Sequence, residues 1–392
     1  MLISIKKFVK RQIIKRINVQ KHLNNYTIST IQIAILNFLQ YQHKSVYKVT
    51  GLKKLNPIKK IVSGYKYISK SQNNVEVTIP DLNLYEIKNA IINSRSSAII
   101  QGKNIYYEAI NDNERFNEGF VEFHNNKNAV VNLKRTETIE EGFFLAGNGS
   151  HNWYHWMIEI IPKIMYLNVN DTKTILVNES CEKTQSMADS LQILTRNLNL
   201  NIIYLKEENT YKIKKLYFVN EVNKLMFNPL DSKTTSLPLY YFRKESLQKL
   251  SSELQKGFNY KNTNEVNIFL ERKNTHRIAQ NESEIIETLK LANFRNIDMT
   301  SLSFEEQINH FQNAKMIVGT TGAAWTNIIF CKPKTKIIIF MPDNYKDYNF
   351  YEEMGEILNI EVQYLYYNNE YKDHDVSEFV INIESLKNLL ST

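Results

Sequence analysis

A chain of 392 residues that is 43% hydrophobic and 11% aromatic is too long for one ordinary core and too apolar for disorder, so two folded domains are expected. Cys181 and Cys331 lie far apart, match no metal spacing and read as reduced, buried thiols of a cytoplasmic protein. The net charge of +8 hides an asymmetry: residues 1–75 hold fifteen Lys or Arg and no Asp or Glu, leaving the rest at −7.

In chain order, the first element is that basic extension, 1–75. It has lysines inside its would-be apolar stretch and no small-residue cleavage site, which argues against a secretory signal. Its Ile31–Leu39 run is about half of what a bilayer-spanning helix needs. Three readings are open to the extension: a solvated basic face, an anionic membrane surface, or nucleic acid. Interleaved Leu2, Ile5, Phe8, Val9, Ile13, Ile14 and Ile17 favour lipid, and no nucleic-acid motif accompanies the charge.

Alternating runs predict strands at 75–79, 96–101, 129–133 and 142–146, then a helix starting near Ser150. Residues 173–178 read as a strand, 182–197 as a helix, and 201–205 and 214–219 as strands. The two prolines within 228–241 mark a linker. Beyond it, strands at 266–270, 294–299, 315–319, 336–341 and 362–367 alternate with helices at 282–293, 303–314 and 322–330, and a helix over 383–391 closes the chain. Apolar strands alternating with helices imply an α/β fold with a parallel sheet covered on both faces, so the C-terminal half is Rossmann-like. The expected division is a 1–75 extension, a 76–235 α/β domain and a 236–392 Rossmann-like domain.

The stretch GNGSHNWYHWMIEIIPK (147–163) concentrates chemistry: it holds two of three tryptophans and two of eight histidines. His151, His155 and Glu159 are spaced to share one helical face. H-x-x-x-H invites a zinc reading, but Asn152 stands where H-E-x-x-H has its glutamate. An aromatic core helix is the plain alternative to an acid–base site. Pro162 is expected to kink or end the helix.

Arg272 and Arg277 follow the 266–270 strand in a chain with 39 lysines and 10 arginines; their forks suit phosphate oxygens. VGTTGAAWTN (318–327) runs strand, small residues, helix start, which suits an anion but also an ordinary tight turn. Glu306 takes a capping-box position after Ser303, with a sugar-hydroxyl contact as its other possible role. Asp373 and Asp375 form a D-x-D in a polar late loop and read as surface.

Together these blocks resemble glycosyltransferase family 61, the DUF563-type enzymes. GNGSHNWYHWMIEIIPKI is similar to its N-Y-Y-H-W-L-x-(D/E)-x-L-P-(R/K) segment. FLERKNTHRIAQNESEI is similar to Y-(I/V)-S-R-x(4)-R-x(3)-N-E. LSFEEQINHFQNAKMIVGTTGAAWTNIIF is similar to the final block, L-S-x-x-E-Q-x-x-x-F-x-x-A-x-x-(I/V)-G-x-H-G-A-x-L-T-N. The chain departs from the pattern at Thr321, where the family has histidine, and at Trp325, Trp153 and Glu271.

The resemblance implies an inverting, metal-independent enzyme with two Rossmann-like domains facing a cleft, the GT-B kind. It would move a sugar from a nucleotide-sugar, expected to be a UDP-sugar, to a glycan hydroxyl in surface polysaccharide biosynthesis. Carried over, Arg272 and Arg277 hold the donor diphosphate. Thr321, Gly322, Ala323 and Asn327 line the donor loop, with Glu306 nearby. His155 and Glu159 face the acceptor, beside His151, Trp153 and Trp156. Glu159 is taken as the base with His155 orienting it, and the reverse assignment stays open. The extension would hold the enzyme peripherally at the cytoplasmic face of an anionic membrane, with no nucleic-acid partner. The alternatives are a non-catalytic carbohydrate- or nucleotide-binding relative, a nucleic-acid-binding protein using the basic arm, and a metal hydrolase built on His151 and His155.

Overall fold

The computed structural model describes residues 44–106, 120–124, 127–225, 240–258, 265–272, 277–346, 349–368, 370–373 and 376–391. Its larger sheet uses β1 (Lys44–Thr50), β2 (Lys59–Val62), β5 (Leu82–Ile92), β6 (Ile99–Gln101), β7 (Asn104–Tyr106), β8 (Val121–His124), β9 (Asn128–Asn132), β10 (Thr136–Leu145), β11 (Thr174–Asn178), β12 (Asn201–Leu205) and β13 (Thr210–Val219). β3 (Tyr65–Ser69) and β4 (Val75–Ile79) form a separate antiparallel hairpin. The sheet order is β12-β11-β10-β13-β5-β6-β7-β1-β9-β8, with β2 beside β5. β12, β11, β10 and β13 run parallel, and β5 turns the sheet antiparallel.

The second sheet is wholly parallel. β14 (Val266–Glu271), β16 (Phe294–Asp298), β17 (Ala314–Thr320), β18 (Lys336–Pro342) and β19 (Glu361–Tyr367) lie in the order β16-β14-β17-β18-β19. β15 (Arg277–Ala279), β20 (Glu370–Asp373) and β21 (Val376–Phe379) form a small third sheet. β18, KIIIFMP, is buried along its length after Lys336, because helices cover both of its faces. The longer helices are α1 (Gln185–Thr195), α2 (Lys244–Gln255), α3 (Glu282–Leu291), α4 (Phe304–Gln312), α5 (Phe350–Leu358) and α6 (Ile383–Ser391), with a 3-10 helix at Ala323–Phe330.

Strand alternation divides the cores. Ile268 and Leu270 of β14 join Phe143 and Leu145 of β10 and Ile317 of β17 in one continuous cluster. Phe269 and Val318 face the other way, onto α3 and α6. Phe144 and Leu176 pack beneath the larger sheet. The two sheets thus share an apolar layer, which also contains the 153–166 segment and parts of α4 and α5.

The folded unit begins at Val46, so β1, β2 and the β3–β4 hairpin take most of 44–75 out of the expected extension and into the fold. Of the predicted 228–241 linker, residues 228–239 lie outside the described residues, and so does the expected domain boundary at 235/236. On either side of that gap, Tyr241 bridges to Lys224 through paired backbone hydrogen bonds.

Candidate active site

The 147–163 stretch leaves the end of β10, where β11 and β12 lie on one side and β13 on the other. Such a reversal of strand order opens a crevice at the carboxyl ends of the strands. The helix begins at Trp153, not near Ser150: Asn152 is its cap, accepting from the Tyr154 N–H at 2.9 Å, while Ser150 Oγ donates to the Ser94 carbonyl. His151 therefore lies in the preceding turn, and only His155 and Glu159 share a helical face.

The helix is then opened by Pro162. A proline has no N–H to give back to the carbonyl four residues earlier. Residues 156–160 form a π turn, 161–166 a 3-10 turn, and the Ile158 carbonyl accepts from Asn223 Nδ2 at 2.8 Å instead. π turns of this kind concentrate at functional sites.

This local geometry builds a buried dyad. His155 Nδ1 lies 2.7 Å from Glu159 Oε2, with the two residues only 6% and 5% exposed. The second oxygen, Oε1, accepts the Leu225 N–H at 2.7 Å. Gly149 backs the imidazole: a Cβ there would lie 2.5 Å from His155 Cγ, and its φ of +74° suits glycine. His151 is close enough to feel His155. Desolvation and the positive charge of Arg95 hold its pKa below the usual histidine range.

The second cluster lies where β14 and β17 neighbour each other, with β16 on one side and β18 and β19 on the other, so strand order reverses here too. Arg272 follows β14 and Thr321 follows β17. Both guanidinium groups donate to the Thr321 carbonyl, Arg272 Nη1 at 2.5 Å and Arg277 Nη1 at 2.8 Å. Burial and the neighbouring Arg277 charge push the Arg272 pKa down. Gly322 is extended, with φ 164°, so its smallness serves contact: a Cβ would come within 2.8 Å of Arg272 Nη1. Thr321 is buried and serves through its carbonyl, and Ala323 is partly exposed at the start of the 3-10 helix.

Tyr154 connects the clusters. Its ring touches His155 at 5.5 Å and Tyr351 at 6.1 Å, and the Tyr351 hydroxyl donates to the Gly322 carbonyl at 3.0 Å. Neither tyrosine was singled out in the sequence; Tyr154 lies inside the chemistry-rich stretch, whereas Tyr351 is one of 23 tyrosines with no motif around it.

Several expected contacts are structural instead. Trp153 Nε1 donates to Asn327 Oδ1 at 3.0 Å, Asn327 Nδ2 donates to Gln307 Oε1, and the indole meets Phe304 edge-on. Asn327 is 1% exposed with both amide ends engaged, so it fastens the two halves and does not line a donor loop. Trp156 is fully buried with Nε1 on Ser190 Oγ, and a ring with no exposed face cannot wall an acceptor groove. Glu306 closes a capping box with Ser303, and those hydrogen bonds lower its pKa. Asp373 ends β20, and Asp375 lies outside the described residues. Cys181 is buried, which raises its thiol pKa to about 12, and Cys331 is raised by burial as well. Among the described residues no three His, Cys, Asp or Glu side chains are grouped to hold a metal ion.

A pocket of about 390 Å³ lies at the ends of β18 and β19, lined by Asp343, Lys346, Tyr366, Tyr367, Glu378 and Gln280 among others. Neither arginine lines it, but two of its lining residues lead towards them: Gln280 follows β15, which carries Arg277, and Tyr367 is near enough to influence Arg272 electrostatically.

No curated protein matches the chain. The family model described as Glycosyltransferase 61 matches residues 153–338, a span that contains His155, Glu159, Arg272, Arg277 and the Thr321–Asn327 loop. This match supports assignment of the chain to glycosyltransferase family 61 and, with it, a glycosyltransferase activity.

Proposed function

We propose that the chain transfers a sugar, with inversion, from a nucleotide-sugar to a glycan hydroxyl, using two Rossmann-like halves in the GT-B manner. One observation carries the reading: two arginines converge on a single backbone carbonyl at a strand-order reversal. Two like charges held together and desolvated destabilise each other, and a diphosphate relieves that cost. Their forks would neutralise the charge developing on the departing diphosphate. The pocket at the ends of β18 and β19 would take the nucleoside.

His155 is the base in this reading, reversing the assignment first favoured from sequence. Both Glu159 oxygens already accept hydrogen bonds, from His155 and from the Leu225 amide. A carboxylate so placed keeps the proton on Nδ1 and leaves Nε2 to accept the acceptor's proton. Glu159 then orients the imidazole. We take the donor to be a UDP-sugar, the acceptor a surface glycan and the transfer metal-independent; the family resemblance supports these assignments.

Titration calorimetry with UDP and UDP-sugars tests the clamp. Arg277→Lys keeps the charge and loses the fork, so about tenfold weaker binding is expected. Unchanged affinity would place the arginines outside the donor site. Chelation of divalent ions should leave binding intact.

A further inference from the structure

The first turn of α5 makes contact in three directions. The Tyr351 hydroxyl holds the Gly322 carbonyl, next to the carbonyl shared by Arg272 and Arg277. Phe350 and Tyr351 pack on Tyr154, whose ring lies against His155. Glu353, 4% exposed, accepts from the Tyr67 hydroxyl, Ser69 Oγ at 2.7 Å, Ser71 Oγ at 2.8 Å and Gln72 Nε2 at 3.1 Å.

Those four donors all come from β3 and the turn after it, 281 to 286 residues away in sequence. Among the described residues no cation pairs with Glu353, and the four donors that meet this buried carboxylate are neutral. Ser71 also meets the Tyr240 hydroxyl at 3.0 Å, and Gln72 Nε2 donates to the Tyr240 carbonyl. Burial and the Glu353 hydrogen bond raise the Tyr67 pKa, keeping that hydroxyl a donor. A cradle of this kind is costly to leave half-satisfied, so it holds one geometry.

We propose that Glu353 is a positioning residue, fastening α5 to the β3–β4 hairpin and so setting, through Tyr351 and Tyr154, where the arginine pair and His155 sit relative to each other. What the arginines hold rests on the glycosyl-transfer reading; the mechanical link does not. The hairpin, far from both clusters in sequence, becomes part of the site's framework.

The test uses the full chain with UDP as the probe and hydrogen exchange as a second readout. Glu353→Gln puts an amide donor among donors. It should deprotect the hairpin amides and those of residues 320–326 together, and weaken UDP binding about tenfold, the loss expected for a charge-assisted bond. Tyr351→Phe should weaken UDP and deprotect 320–326 while the hairpin stays protected. Ser71→Ala, a milder loss of one donor, should show a smaller version of the first pattern and covers the case in which Glu353→Gln does not fold. The proposal is overturned if loss of hairpin protection leaves 320–326 and UDP affinity at wild-type values. Failure of the wild type to bind UDP would count against the donor reading, and the exchange data would still decide the link.

Discussion

Gly149 and Gly322 are small for different reasons, and substitution separates them. Gly149 combines a positive φ with contact against the His155 ring, so Gly149→Ala should cost more than about 1 kcal/mol in stability and also lower turnover. Gly322 is extended, and its neighbour is the movable end of an arginine. Gly322→Ala should melt near the wild-type temperature yet bind UDP more weakly, because the methyl displaces Arg272. Thermal melts and UDP titration on both variants check this contrast, and equal behaviour would contradict it. Single residues were legible when their partners lie close in sequence: Ser303 and Glu306 cap one turn from three residues apart. Asn327 was not, because its partners, Trp153 and Gln307, reach it only through the tertiary fold.

At the scale of elements, Pro162 explains most of what happens around the dyad. By denying Ile158 a helical partner it recruits Asn223, two residues before the amide that holds Glu159. Asn223 is fully buried, and its Oδ1 also accepts the Arg243 N–H. Asn223→Ala should therefore destabilise by about 1–3 kcal/mol, the cost of unsatisfied buried groups, and should lower turnover as Glu159 loosens. Denaturant titration with a turnover assay would show it; unchanged turnover would mean that the 220–225 segment does not position the dyad. Pro162 was visible in the sequence, but its consequence was not, because the compensating amide comes from after β13. The apolar β18 was read directly from its composition. β5 was missed because Asn89, at φ +54°, breaks the alternation that marks a strand. α5 was missed because Gly355 reads as a breaker, although it admits the close approach of Ile360 and Val362.

At the scale of the molecule, the charge asymmetry and the two strand-order reversals are separate features. We propose that the basic segment holds the enzyme at an anionic, cytoplasmic membrane face. Among the described residues, six of the eight large exposed apolar side chains, Val46, Ile58, Val62, Tyr65, Ile68 and Val75, lie within 46–75. Because β1 begins at Lys44, a clean truncation stops at residue 43. Its loss of seven basic residues should weaken binding to anionic vesicles strongly, at about 1 kcal/mol for each residue near the surface. Equal cosedimentation with and without residues 1–43 would end that role for them.

The account as a whole rests on His155 taking the acceptor's proton beside a donor held by Arg272 and Arg277. The most direct test is the rate of UDP release from a UDP-sugar that the wild type turns over, measured for His155→Ala alongside its UDP affinity. The account predicts a fall of about 10²–10⁴ in rate with affinity near wild type. A His155→Ala enzyme that turns over at the wild-type rate, or that loses UDP affinity in step with its rate, would contradict it.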